Sequence, residues 1–218
     1  MTPLFLALTL ACALIDWVAV ARQNHRLEYL AKPLTMVLLI AAAMAADLGP
    51  ASPWVITGLV FGLLGDIALM LRASERRENI YFLVGLGAFL IGHLAYVPGF
   101  LAYGVTGGAL LLGAVITVVL LLLVIPRIIV GAYRRDGAVL AGLVGLYALV
   151  IALMVITAVG TGNVTLGIGG VLFAISDSIL GHERFVRPLR GGRVILIAAY
   201  HLAQILFVLG LFLAVTPA

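Results

Sequence analysis

Residues Val105–Asp136 read VTGGALLLGAVITVVLLLLVIPRIIVGAYRRD. No charged residue occurs from Val105 to Pro126, and about 20 apolar residues suffice for a helix to cross a bilayer. The run closes on Arg127, and Arg134, Arg135 and Asp136 follow before a second apolar run starts at 137. A span-length apolar segment, then an arginine-rich break, is the unit from which the chain is built.

Outward from this segment, the same criterion marks spans near 3–21, 28–47, 53–71, 79–101, 105–126, 137–160, 163–182 and 193–214. The expected fold is therefore all-α, a polytopic bundle of eight transmembrane helices in a single domain, 1–218. The breaks alternate in kind. Ala51-Ser52-Pro53, Tyr103-Gly104 and Gly160-Thr161-Gly162-Asn163 carry no charge. The other four, Arg22–Glu28, Arg72–Glu78, Arg127–Asp136 and His182–Arg193, hold twelve of the thirteen basic residues. Loop arginines stay on the cytoplasmic side, so the odd loops face the cytoplasm and both termini lie outside. The N-terminus has no basic leader region and no small-residue cleavage site, so it reads as the first span rather than a signal peptide.

Composition agrees. The chain is 64% hydrophobic and 10% charged, with a mean hydropathy of +1.26, whereas a soluble domain carries about 25% charged residues. This excludes an ordinary cytosolic enzyme, a disordered chain and a disulfide scaffold. The pI near 9.6 comes from the topology-setting arginines, so no nucleic-acid partner is expected; membrane lipids are. Cys12, the only cysteine, can form no intrachain disulfide. One lysine beside twelve arginines, with abundant Ala, Gly and Val, suggests a GC-rich bacterial gene and hence an inner-membrane location. Gly58, Gly62 and Gly65, and more loosely Gly142 and Gly145, have the spacing of close helix packing.

Few polar residues remain inside the spans: Asp16, Lys32, Asp66, His93, Tyr96, Ser176, Asp177, Ser178, Tyr200, His201 and Gln204. Asp47 stands at an outer end, where water reaches it. A carboxylate in hydrocarbon costs about 2.5–3.5 kcal/mol on insertion scales, which makes each one a functional candidate. Counted from the nearest arginine loop, Asp16, Lys32, Asp66 and Asp177 all lie roughly 7–11 Å inside the cytoplasmic helix ends. Tyr200 and His201 begin slightly deeper, and His93 and Gln204 approach mid-membrane. The grading describes a polar funnel open to the cytoplasm and closed by apolar outer halves.

Blander readings stand beside these. A lone histidine on an apolar helix is commonly a packing residue, which applies to His93 and more so to His201. Asp66 and Asp177 could serve only an interhelical hydrogen bond or an ion pair with Lys32, and Asp16 could simply neutralise Lys32. His93 and Tyr96 share a helix face, as do Tyr200 and Gln204.

A weak internal echo is present. Asp66-Ile-Ala-Leu69 and Asp177-Ser-Ile-Leu180 both read D-x-x-L, 111 positions apart, and the same offset maps His93 onto Gln204. Two parallel four-helix halves would place the two acids across the interface between them.

Two carboxylates in one partly dry layer do not release their protons together. One acid and one carboxylate suit general acid–base hydrolysis through an oxocarbenium-like centre. No H-E-x-x-H and no cysteine cluster suggests a metal, and two His with two Asp could hold zinc only if the fold gathered them. Ser176 and Ser178 lack a G-x-S-x-G setting. No phosphate-cradling glycine loop follows a strand, so no cofactor is expected.

Five segments taken in order carry a family resemblance: Ala31-Lys32-Pro33-Leu34-Thr35-Met36, Gly65-Asp66-Ile67-Ala68-Leu69, Phe89-x-x-x-His93-x-x-Tyr96, Leu172-Phe173-Ala174-Ile175-Ser176-Asp177-Ser178 and Tyr200-x-x-x-Gln204. Together they resemble the YhhN family of membrane proteins, over most of the chain. The resemblance implies about eight spans and hydrolysis of the vinyl ether bond of lysoplasmalogens, so the implied partner is a lysophospholipid. It implies Asp66 and Asp177 as the acid/base pair, with Lys32 holding one Asp ionised or meeting the substrate phosphate. His93, Tyr96, Tyr200 and Gln204 would orient water or the glycerol, with Asp16 and Ser176 in support. The competing class is a proton-coupled carrier of a small molecule or lipid, since parallel repeats with intramembrane acids also describe carriers. A carrier needs a polar path to the far side, and here that side offers mainly Pro98 and small residues.

Overall fold

Pro3 in the first turn of α1 (Thr2–Ala21) costs no hydrogen bond, because the first N–H groups of a helix have no internal partner. The remaining helices are α2 (His25–Ala45), α3 (Ser52–Met70), α4 (Glu75–Tyr103), α5 (Gly107–Gly160), α6 (Val164–Phe185) and α7 (Gly192–Val215), with one short 3-10 turn, Gly49–Ala51, before α3. The computed structural model describes residues 1–71 and 75–215, without the side chains at 75, 76 and 78. Of the expected loop charges, Arg72 and the side chains of Glu75, Arg76 and Glu78 fall outside what is described. Among the described residues there is no strand, and 7 helices are long and apolar enough to cross a membrane. The chain is an all-helical membrane protein.

Polar side chains set the helix starts. Asn24 caps α2 by accepting from Leu27 N at 3.2 Å. Asn163 caps α6, accepting from Thr165 N at 3.0 Å and Leu166 N at 3.3 Å. Asp47 is exposed, as expected, and accepts from Gly49 N at 2.9 Å ahead of α3.

α5 needs a separate account. It runs for 54 residues; at 1.5 Å per residue a straight helix of that length would reach about 81 Å, far beyond a hydrocarbon core of about 30 Å. It is not straight. Asp136 (φ −139, ψ 23) and Gly137 (φ 76, ψ −163) leave helical geometry, and Gly137 occupies a region open in practice only to glycine. Beyond the break the chain returns along itself. Thr106 N donates to Gly160 O at 2.9 Å, Gly113 lies against the backbone of Ile156, and Gly160 lies against Leu110. Near the turn, Ile128, Ala132 and Val144 form a buried cluster covered by Leu140 and Phe185. The two arms of α5 thus occupy the places of the expected spans 105–126 and 137–160. The expected boundaries are corrected at each charged break: residues 127–135, expected as loop, continue the first arm as helix, and residues 25–28, 75–78 and 182–185 belong to α2, α4 and α6. Arg, Ile and Ala are acceptable helix residues, and only Asp136-Gly137 ends the arm.

The chain gathers into two compact units. The first contains residues 1–103 together with the end of α7 from Val208. In it α1 packs on α2, α2 on α3 and α3 on α4. The second runs from Gly104 to Phe207. Its α6 packs on α5 and, through Gly169 against Phe207 and Phe173 against Tyr200, on α7. Each unit sorts its connections by charge. In the first, the Tyr29 hydroxyl donates to Met70 O at the arginine-bearing end, while Gly99 meets Trp54 at the uncharged end. In the second, Arg135 Nη1 donates to Arg184 O at 3.2 Å at the arginine-bearing end, and Thr106 bonds Gly160 at the other.

The glycine expectation divides. A Cβ at Gly58 would meet the Tyr96 ring at 2.5 Å and one at Gly65 the Phe89 ring at 2.7 Å, so these two are packing glycines. Gly142 and Gly145 have nothing within 4 Å of such an atom, and the packing reading is withdrawn for them.

Candidate active site

In the first unit four helices each contribute a buried polar side chain: Asp16 from α1, Lys32 from α2, Asp66 from α3 and His93 from α4. Lys32 Nζ and Asp66 Oδ1 are 2.8 Å apart, and both side chains are almost wholly removed from solvent. Asp66 stands one turn from the end of α3 and Lys32 about two turns from the start of α2. The pair therefore lies near the arginine-bearing end of the unit, roughly 6–11 Å along its helices. Removing two charges from water is costly, and close pairing offsets that cost.

α3 and α4 approach closely through glycine. Gly65, next to Asp66, sits under the Phe89 ring, and Gly92, next to His93, sits against Gly58 and Gly62. His93 is therefore one to two turns further along α3 than Asp66. Tyr96 is fully buried, lies over Gly58 and stacks on Phe100 with ring centroids 6.0 Å apart.

In the second unit Asp177 is half-buried on α6. The Tyr147 hydroxyl, on the second arm of α5, donates to Asp177 Oδ2 at 2.8 Å. Ser176 Oγ is turned toward α7, donating to Leu196 O at 3.0 Å. Tyr200 packs edge-on against Phe173, centroids 5.5 Å apart, and lies 5.4 Å from the His201 ring. His201 and Gln204 are wholly buried on α7.

One packing pair recurs in the two units at the offset of 111. Gly58 lies under Tyr96, and Gly169, with a prospective Cβ 2.9 Å from the ring, under Phe207. Asp66 on the third helix of the first unit has its charged partner on the second helix. Asp177 likewise takes its hydrogen bond from the helical arm preceding its own helix.

Two groups escaped the sequence reading. Tyr147 sits in an apolar run and resembles a packing aromatic; no spacing on its own helix ties it to an acid thirty residues away. Glu28 was grouped with the first loop because Arg26 stands beside it, yet it is 2% exposed in the first turn of α2 with His25 Nδ1 at 3.4 Å. Its position four residues before Lys32, on one helix face, was the available signal. Among the described residues no group of three or more His, Cys, Asp or Glu could hold a metal ion.

Membrane-length helices with carboxylates buried one to two turns inside an arginine-bearing end define a polytopic membrane protein with intramembrane polar sites, the architecture of an enzyme or a carrier. No solved structure matches the chain. The sequence matches the YhhN family over residues 27–211, and the chain belongs to that family. It is similar to the lysoplasmalogenase of Mycobacterium tuberculosis (strain CDC 1551 / Oshkosh), 31% identical over 179 residues covering 81% of this chain and 67% of the relative. It is also similar to lysoplasmalogenase TMEM86B of Mus musculus, 27% identical over 203 residues covering 92% of this chain and 82% of the relative. The corresponding protein of Sus scrofa is 30% identical over 178 residues, 81% of this chain and 72% of its own length.

Proposed function

We propose that this chain is a membrane lysoplasmalogenase, hydrolysing the vinyl ether bond of an alkenyl-glycerophospho-ethanolamine or -choline to a fatty aldehyde and the glycerophospho-base. The observation that carries the reading is membership of the YhhN family over residues 27–211, a range that contains both acid-bearing segments. The lysoplasmalogenase names of its relatives support the same activity.

The chemistry needs one proton donor and one carboxylate. A carboxylic acid protonates the outer vinyl carbon, leaving an oxocarbenium ion. A carboxylate stabilises that ion and takes a proton from the attacking water, and the hemiacetal collapses to aldehyde and alcohol. The balance is one vinyl ether and one water to one aldehyde and one alcohol, with the proton returned. Asp66 and Asp177 supply the two carboxyl groups. Lys32, paired with Asp66 at 2.8 Å, holds that acid or meets the substrate phosphate. His93, Tyr200 and Gln204 orient water or the glycerol, with Asp16 and Ser176 in support. Tyr96, which lies over Gly58, shares in that orienting role.

The topology is part of the proposal. The α5 hairpin turns seven helices into eight passes, in two units that repeat one four-helix motif within one transmembrane domain. The arginine-bearing ends face the cytoplasm of a bacterial inner membrane, the termini face outside, and the acids are reached from the cytoplasmic side.

Aldehyde release from a lysoplasmalogen by purified protein tests the function. Wild type is expected to turn over, and Asp66→Asn and Asp177→Asn each to lose about 10²-fold or more, the range of a lost general acid or base. Normal rates in both variants would remove the acid/base assignment. A wild type inert toward every lysoplasmalogen, with substrate-driven proton flux in liposomes, would establish the carrier instead.

A further inference from the structure

Resting on the proposed function, we propose that Tyr147 is a positioning residue for Asp177, orienting that carboxylate for the reaction. Tyr147 is 8% exposed, on the second arm of α5, and its hydroxyl reaches across to α6 to donate to Asp177 Oδ2 at 2.8 Å. An aspartate side chain has two torsions, and each contact the carboxylate makes narrows them. The Tyr147 O–H, donated from a neighbouring helix, restrains the carboxylate, and misplacement of a reacting group by about 1 Å can cost 10²-fold in rate.

The location of Tyr147 supports a role beyond filling space. In the first unit the corresponding element, α2, supplies Lys32 to Asp66 at 2.8 Å. At the offset of 111, Lys32 maps onto Leu143, one helical turn from Tyr147 and on the same face. Both units therefore hold their acid from the helix before it, one with an ammonium and one with a phenol. A phenylalanine would fill the same volume; what the hydroxyl adds is the bond to the acid.

The test is Tyr147→Phe, which removes that bond and keeps the ring. Wild-type turnover of a lysoplasmalogen is measured first. The expected result is a kcat lower by about 10- to 100-fold with KM within about 3-fold, and a melting temperature lowered only by the loss of one hydrogen bond. In an Asp177→Asn background the same change is expected to alter kcat by less than about 2-fold, because the residue acts through the acid. The infrared carboxylate band assigned to Asp177 by difference against Asp177→Asn is expected to shift in Tyr147→Phe. An unchanged kcat, equal losses in both backgrounds, or an unmoved band would overturn the role. If Tyr147→Phe does not fold, 3-fluorotyrosine introduced at 147 replaces it: a changed kcat at constant KM supports the role, and an unchanged kcat overturns it. An inert wild type overturns the proposed function and this inference with it; an active wild type with an unaffected Tyr147→Phe overturns the inference alone.

Discussion

The Lys32 ammonium and the Asp66 carboxylate meet at 2.8 Å between adjacent apolar helices, with neither side chain open to solvent by more than 8%. Such a pair adds little net stability over a well-packed apolar pair, but removing one member leaves the other charge buried and uncompensated, at about 3–5 kcal/mol. Lys32→Met is therefore expected to lower the melting temperature in detergent by several degrees. Lys32→Met combined with Asp66→Asn is expected to recover at least half of that loss while staying inactive. A Lys32→Met protein as stable as wild type would show that the pair is not closed in the folded state.

Packing beside the acids makes a second prediction. Gly58 supports Tyr96 at a distance that leaves no room for a methyl group, and Tyr96 is itself held by Phe100. Overpacking of this kind costs about 1–3 kcal/mol. Gly58→Ala should be destabilised by that amount in chemical or thermal unfolding. Gly87→Ala, in the interior of α4 with nothing within 4 Å of the added atom, should be unchanged or gain up to about 1 kcal/mol from helix propensity. Equal effects at the two sites would contradict the close approach of α3 and α4.

The helices and the depth of the acids were legible in the sequence for a simple reason: each needs only a local pattern. Hydropathy over about 20 residues marks a span, and the count from Asp66 to Arg72 gives its depth. The pairing of Lys32 with Asp66 was also within reach, since a lone buried lysine must find an acid. Tyr147 was not, because a tyrosine amid Leu, Val and Gly carries no charge that demands a partner. Gly142 and Gly145 misled for the opposite reason: spacing alone does not say which helix face is covered. Glu28 was obscured by Arg26, although the four-residue step to Lys32 pointed inward.

Gly137 carries the turn that makes two arms of α5. With φ 76 and ψ −163, a Cβ there is strained by about 1–3 kcal/mol whatever the space around it. Gly137→Ala should lower stability by that amount, and Gly142→Ala, five residues on in regular helix, should not. If both variants unfold like wild type, the hairpin does not depend on the backbone at 137, and a continuous or differently broken α5 would have to be considered.

The proposed sidedness makes the last prediction. In a Cys12→Ser background, Asp47→Cys and Arg190→Cys place single thiols at exposed positions, one at an uncharged connection and one at an arginine-bearing connection. Positively charged loops remain cytoplasmic because moving arginine across the bilayer is costly. A membrane-impermeant maleimide applied to cells with an intact inner membrane should label Asp47→Cys and leave Arg190→Cys unlabelled. Both should react after the membrane is opened. The reverse pattern would invert the topology, moving the Lys32–Asp66 end of the first unit to the outer face. Labelling of both in intact cells would mean that the number of passes between 47 and 190 is even rather than odd, and the two-pass reading of α5 would fall with it.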